Sequence, residues 1–269
     1  CWFCNACTAF FNWASRASVS CLPSFSGLLV PSAASGDGAA AGFTEQIIRL
    51  PHSHLCYAPG AVREMPAPGF EAPCLARGYV TFGSFNNFAK VTDETLLLWR
   101  GILDQVHGSR LVIKGKICSI PSGIELVHER LRRLSFDPAR VELRPYSPDY
   151  LEQYRDIDIA LDAMPYNGGL TTCEALYMGV PVVSIRGRSH GSRFGASILT
   201  NAGVRELLAE NDINYVRRAV QLGNSPELIG AYHSGLRGNL LKSPLMDAAN
   251  YMRELESAYR QTWQNFCTI

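Results

Sequence analysis

The sequence lacks the features of a membrane-spanning, a nucleic-acid-binding or a dinucleotide-redox protein. It has no run of about 18 apolar residues, so no membrane-spanning helix is expected. Twenty-five basic residues balance 24 acidic ones, for a net charge of +1. Bulk charge therefore offers no footprint for nucleic acid. No G-x-G-x-x-G follows the first strand pattern. The residues there are Gly83-Ser84-Phe85-Asn86, which argues against a Rossmann dehydrogenase. His52, His54, His107, His128 and His233 show no metal-like grouping and read as structural or exposed.

Cysteine is not scarce, at nine residues, but Cys56, Cys74, Cys118, Cys173 and Cys267 sit singly, as reduced thiols do in an intracellular protein. Cys1, Cys4 and Cys7 form a C-x2-C-x2-C run without an obvious fourth ligand. It reads as chance rather than an iron–sulfur or zinc site. Residues 1–22 are apolar and acid-free with one arginine, Arg16. They lack the basic start of a targeting peptide, although organelle import is left open. Residues 23–42 are rich in Pro, Ser, Ala and Gly, as a linker is. Residues 1–42 are thus expected outside the fold, as a disordered or non-native leader.

What the sequence has is alternation. Tyr79 to Ser84 reads as a strand, and Thr92 or Asp93 caps a helix to about Val106, with Leu96, Leu97, Trp99, Ile102 and Leu103 on its buried side. Strand patterns recur at 110–114, 141–143, 157–161 and 180–185, separated by helical patterns at 122–134 and 149–155 and by a short helix ending at Gly179. Apolar strands alternating with helices imply a Rossmann-like parallel sheet flanked by helices, an α/β fold. Residues 192–209, 212–222, 225–241 and 247–266 carry helical spacing. The last helix has Asp247 as its N-cap and a stripe of Tyr251, Leu255, Ala258, Tyr259 and Trp263 expected to pack in the core.

Right-handed crossovers bring the loops after the strands to one rim. There lie 84–90, Lys114, 145–150, 165–174 and 187–193. The most informative loop is Pro165-Tyr166-Asn167-Gly168-Gly169-Leu170-Thr171-Thr172-Cys173-Glu174. Glycines admit close backbone approach, and the following helix N-terminus offers free N–H groups to phosphate. An acid one turn in can accept from ribose hydroxyls, as acids do at other nucleotide sites.

These residues carry a resemblance. Residues 43–267 resemble the C-terminal catalytic lobe of glycosyltransferase family 41, the O-GlcNAc transferases and SPINDLY proteins. The matching stretches include Ile48-Arg49-Leu50-Pro51, Tyr79 to Asn87 with Lys90, Asp158 to Asp162, Pro165 to Gly169, Thr171 to Leu176, Met178 to Val183, His190, Ser192-Arg193 and Ser243-Pro244-Leu245. The resemblance implies the C-terminal lobe of a GT-B fold. It divides the chain into a leader (1–42), a remnant of the N-terminal catalytic lobe with a linker (43–77) and a nucleotide-sugar-binding lobe with C-terminal helices (78–269).

The same resemblance implies transfer of GlcNAc from UDP-GlcNAc to Ser or Thr hydroxyls of protein acceptors, inverting, with no metal and no cofactor beyond the donor. A SPINDLY-type use of GDP-fucose and an inactive nucleotide-sugar-binding module are the alternatives. It gives Lys90 the β-phosphate of the leaving group, Thr171 and Thr172 the phosphates, and Glu174 the ribose. Asn87 falls near the phosphates, Tyr150 near the base, and His190 and Arg193 in a loop bordering the donor. Lys114 lies on the same rim.

Three departures stand out. Leu170 replaces a threonine common in relatives, and Tyr150 a histidine. The family's N-terminal lobe and tetratricopeptide repeats are not seen, since no period of about 34 residues occurs. Those parts are expected partners of this lobe, in the cytoplasm or nucleus.

Overall fold

The computed structural model describes residues 27–31, 46–59, 65 and 71–267. Two short strands, β1 (Gly27–Pro31) and β2 (Gln46–Leu50), pair in parallel. β1 lies inside the segment expected to be a leader. The Cys1–Cys4–Cys7 run lies outside the described residues.

The main sheet has six parallel strands: β3 (Thr81–Ser84), β4 (Arg110–Lys114), β5 (Val141–Arg144), β6 (Ile159–Leu161), β7 (Val182–Ile185) and β8 (Leu208–Ala209). Their order is β5-β4-β3-β6-β7-β8. Every residue of β3, β6 and β7 is buried, which explains why those strands read as continuous apolar runs rather than alternating ones.

Eight α-helices accompany the strands among the described residues. α1 (Pro73–Arg77) precedes β3, α2 (Asp93–Gln105) follows it, α3 (Pro121–Arg133) follows β4, and α4 (Leu170–Tyr177) follows β6. α5 (Phe194–Asn201) and α6 (Asp212–Gly223) flank β8, and α7 (Pro226–Leu241) and α8 (Ala248–Cys267) close the chain. α2 starts where predicted, its N-cap Thr92 accepting from the Thr95 N–H. Leu96, Trp99, Ile102 and Leu103 are buried, but Leu97 is exposed, because it sits off the stripe that faces the core. The expected 192–209 helix is shorter. It ends at Asn201, and Leu208–Ala209 extends the sheet as an edge strand beside β7.

α8 also departs from expectation. Asp247 does cap it, accepting from the Asn250 N–H at 2.9 Å. Tyr251 and Leu255 pack on Leu50 of β2, but Tyr259 and Trp263 are exposed. The Tyr251 hydroxyl donates to the His54 carbonyl, and the Tyr57 N–H donates to the Leu245 carbonyl. These bonds strap residues 54–57 along the C-terminal region.

The strand order sets the ligand position. From β3 the chain winds outward through β4 to β5, then returns to β6 on the other side of β3 and winds the opposite way. The reversal opens a crevice at the C-terminal ends of β3 and β6, the place where ligands bind in open α/β sheets. A hydrogen-bond chain fixes this point in the core. The Trp99 indole donates to the Tyr215 hydroxyl at 3.0 Å, which donates to the Asp162 carbonyl just past β6.

Candidate functional site

The crevice is lined by Ser84, Asn86, Asp162, Thr171 and Thr172, among others. Its centre is the turn from β6 into α4. α4 begins at Leu170 without a side-chain cap, and the Cys173 N–H donates back to the Gly169 carbonyl at 3.2 Å, an i→i−4 bond. The helix's first N–H groups are therefore left for another acceptor. Gly168 is needed for close approach: a Cβ there would sit 2.5 Å from Thr171 Oγ1 and 2.8 Å from Thr172 Oγ1. Gly179 ends the segment at φ +85°, where a side chain would also meet the His233 carbonyl.

The two threonines hold the turn. Thr172 Oγ1 donates to the Gly168 carbonyl at 2.9 Å, and Thr171 Oγ1 donates to Asn86 Oδ1 at 2.9 Å. Leu170, the departure from the usual threonine, is exposed on the rim. It contributes a backbone N–H and no hydroxyl.

Lys90 comes from the 3-10 turn Phe88–Lys90 after β3. Its ammonium lies 4.1 Å from the centre of the Tyr166 ring and 3.5 Å from the Asn167 carbonyl, to which it donates. It is thus held against the loop that leads into α4. Burial lowers its pKa, and the Asp162 charge partly restores it.

One turn into α4, Glu174 is buried and accepts from the Tyr150 hydroxyl. The sequence-predicted ribose acid and base-side tyrosine are therefore hydrogen-bonded to each other. The Tyr154 hydroxyl donates to the Thr171 carbonyl, and the Tyr154 ring lies 4.3 Å from Phe85.

Other predicted residues shape loops. Lys114 donates to the Pro145 carbonyl and to Ser147 Oγ, pinning the 145–150 loop that carries Tyr150. Asn87 accepts from the Ala89 N–H and caps the 3-10 turn bearing Lys90. Arg193 Nε donates to the Gly187 carbonyl at 2.8 Å, folding its loop on itself. The His190 ring lies 5.1 Å from both His54, tilted at 60°, and Phe194, edge-on at 89°, and burial lowers its pKa.

Sequence reasoning gave no individual role to Asp162, Asn86, Asn167 and His54, although the first three stand in stretches that it quoted. Asp162 and Asn86 lie beneath the glycine turn, and the Asn167 side chain is fully buried there. Ser84 Oγ and Asn167 Oδ1 are buried without a hydrogen-bond partner among the described residues. His54 is the fourth: its pKa is pushed down to about 3 by burial first and the His190 charge second. Among the described residues no group of three or more His, Cys, Asp or Glu is placed to hold a metal ion, and no helix is long and apolar enough to cross a membrane.

Residues 71–255 match the model of glycosyl transferase family 41. The chain belongs to that family. It is 38% identical to a probable UDP-N-acetylglucosamine–peptide N-acetylglucosaminyltransferase SPINDLY of Petunia hybrida over 98% of this chain and 28% of the relative. The rice protein of the same description is 40% identical over 83% of this chain and 24% of the relative. The chain thus spans about a quarter of the length of these curated relatives. Among solved structures, an O-GlcNAc transferase mutant of Thermobaculum terrenum superposes with a TM-score of 0.77 at 28% identity, covering 91% of this chain and 46% of that one. The fold is the GT-B lobe expected from the sequence, and the family is that of a glycosyltransferase.

Proposed function

We propose that this chain is the donor-binding lobe of a protein O-glycosyltransferase that takes GlcNAc from UDP-GlcNAc and passes it, with inversion, to Ser or Thr hydroxyls of protein acceptors. The observation that carries the reading is the meeting, at the switch point between β3 and β6, of the Lys90 ammonium, the uncapped N-terminus of α4 and the Glu174 carboxylate one turn further on.

Each group has a fitting task. The first N–H groups of α4 suit the diphosphate, because they point outward and the helix dipole favours negative charge. Glu174 suits the ribose hydroxyls. Lys90 suits the outer phosphate, where charge accumulates as the glycosidic bond breaks. A cation at that position interacts more strongly with the transition state than with the ground state, which is what lowers a barrier. Lys90 and the helix N-terminus together supply the charge stabilisation that a metal supplies in other transferases, so the reading needs no metal and no further cofactor. The division into a remnant of the N-terminal lobe (43–77) and a binding lobe (78–269), and a cytoplasmic or nuclear location for a chain whose described cysteines are all free thiols, belong to the same proposal, with the strand at Gly27–Pro31 set against a leader over all of 1–42.

A second reading, a protein O-fucosyltransferase using GDP-fucose, comes from the SPINDLY branch of the resemblance, although the matched SPINDLY relatives are themselves described as probable N-acetylglucosaminyltransferases. The SPINDLY proteins match at 36–40%, whereas the Caenorhabditis elegans N-acetylglucosaminyltransferase matches at 27% over 70% of this chain. The pocket for the base, around Tyr146 to Tyr150, decides between them. Calorimetry with UDP, UDP-GlcNAc, GDP and GDP-fucose tests both. Tighter binding of the uridine pair supports the first reading, and tighter binding of the guanosine pair the second. Absence of heat with all four, from a chain shown to be folded, removes the donor site.

A further inference from the structure

We propose that Asp162 is the positioning residue of the diphosphate site, acting through Asn86, Gly168 and the charge of Lys90 without touching the donor. The inference rests on the donor-site reading above and gives a role to a residue which that reading leaves idle.

Asp162 follows β6 at the switch point and is 1% exposed. Its Oδ1 accepts from the Gly168 N–H at 2.7 Å, the Ala163 N–H at 2.9 Å and Asn86 Nδ2 at 3.4 Å. Its Oδ2 accepts from Ser184 Oγ at 2.6 Å. A carboxylate is an acceptor only, so it dictates the orientation of its neighbours. The Asn86 amide must turn its NH2 group toward Asp162 and its oxygen away. That oxygen then takes the Thr171 hydroxyl. The hydroxyl is drawn inward, and the first turn of α4 is left to present its backbone N–H groups outward.

The bond to Gly168 fixes the other end of the same turn. One carboxylate therefore sets three segments against each other: the loop after β3, the loop after β6 and the start of α4. The same buried charge also supports the protonated form of Lys90 against the cost of burial.

A second buried acid on β6's other side shows the contrast. Asp158 accepts from the Cys74 and Thr81 N–H groups at 2.8 and 2.7 Å, tying α1 to the start of the sheet. It sits at the opposite end of the strand from the crevice. Asp158 is a staple of the fold, and only Asp162 reaches the groups that face the donor.

The test compares nucleoside, monophosphate and diphosphate binding by calorimetry on the full chain, in the uridine or guanosine series that the wild type favours. Asp162→Asn keeps the shape and removes the charge. It is expected to weaken diphosphate binding about tenfold, the range for a hydrogen bond to a charged group, while nucleoside binding holds. Ser184→Ala removes one bond to Asp162 from behind and touches no residue assigned to the donor. It is expected to give a smaller loss in the same pattern, and it carries the test if Asp162→Asn does not fold. An unchanged ratio of diphosphate to nucleoside affinity in the folded variants overturns the role of Asp162. A wild type that binds diphosphate no better than nucleoside overturns the donor-site reading itself.

Discussion

The Tyr150 hydroxyl donates to the Glu174 carboxylate, so the acid suited to a ribose is engaged by a neighbouring loop. A ribose that enters must share or replace the phenol bond. Glu174 is 5% exposed, and a buried carboxylate stripped of a partner costs about 1–3 kcal/mol or more. Tyr150→Phe removes that partner and keeps the ring for stacking on a base. The free protein is expected to melt a few degrees lower, with ΔΔG near 1 kcal/mol as a lost hydrogen bond gives. The stabilising shift on adding ribonucleotide should be larger than in the wild type, because the ribose then replaces the lost phenol bond without having to displace it. Thermal melts with and without UDP or GDP measure both; a smaller ligand shift in Tyr150→Phe would show that the phenol itself binds the donor.

Lys90 is held by the Tyr166 ring and the Asn167 carbonyl and is more than surface decoration. Lys90→Ala is expected to lower diphosphate affinity about 10- to 100-fold, as loss of a charge-assisted bond does, and to spare the nucleoside. Diphosphate binding also requires the protonated amine. Burial lowers the Lys90 pKa from its ordinary value, so wild-type affinity should decline at alkaline pH earlier than an unperturbed lysine would allow. Lys90→Ala should lose that alkaline limb. Calorimetry across pH checks both effects.

The centre of the sheet was legible because β3, β6 and β7 are buried on both faces and read as short apolar runs between helical spacings. β8 was not, because two residues, Leu208 and Ala209, join the sheet by pairing with β7 and carry no local pattern. Lys90, Thr171, Thr172 and Glu174 were singled out because the resemblance gives them tasks, whereas Asn86 and Asp162 stand in equally continuous matching stretches with no task attached. Asn86 and Asp162 act across 76 and 85 positions of chain, in the Asn86–Asp162 and Asn86–Thr171 bonds. Such pairings follow from strand order, and strand order is a global property that spacing does not encode. His54 reaches the site only because β2 and α8 strap its segment in place. Its neighbours in sequence predict none of that.

Gly168 offers a steric test of the cradle. A methyl group there meets Thr171 Oγ1, Thr172 Oγ1 and Asn86 Oδ1, all inside 3.0 Å. Gly168→Ala must push apart the residues that shape the turn. Diphosphate binding is expected to fall by at least about tenfold, or 1.4 kcal/mol. Gly101 in α2 meets nothing within 4 Å. Gly101→Ala should leave binding intact and raise stability by about 0.5–1 kcal/mol, the helix preference for alanine. Parallel calorimetry and urea unfolding on the two variants separate a cradle effect from a general one.

His54 predicts the acid response of the fold. Its folded pKa is about 3, against an ordinary value of 6.5, because burial and the His190 charge both oppose protonation. Between those values the unfolded chain binds the proton and the folded chain does not. Stability therefore rises with pH across the window from about 3 to 6.5 and falls as the solution is acidified through it. His190 and His233, both lowered by burial, act in the same direction. Asp162 acts against them. Burial raises its pKa to about 6, so between its ordinary 3.8 and 6 the folded state holds the extra proton and gains as pH falls. His54→Phe keeps an aromatic ring against Phe194 and deletes one acid-sensitive group. Urea unfolding followed from pH 6.5 down to 4 should then show a slope shallower by up to one proton, about 1.4 kcal/mol per pH unit. An unchanged slope would mean that His54 is protonated in the folded protein, and that its burial beside His190 is relieved by a rearrangement of that loop.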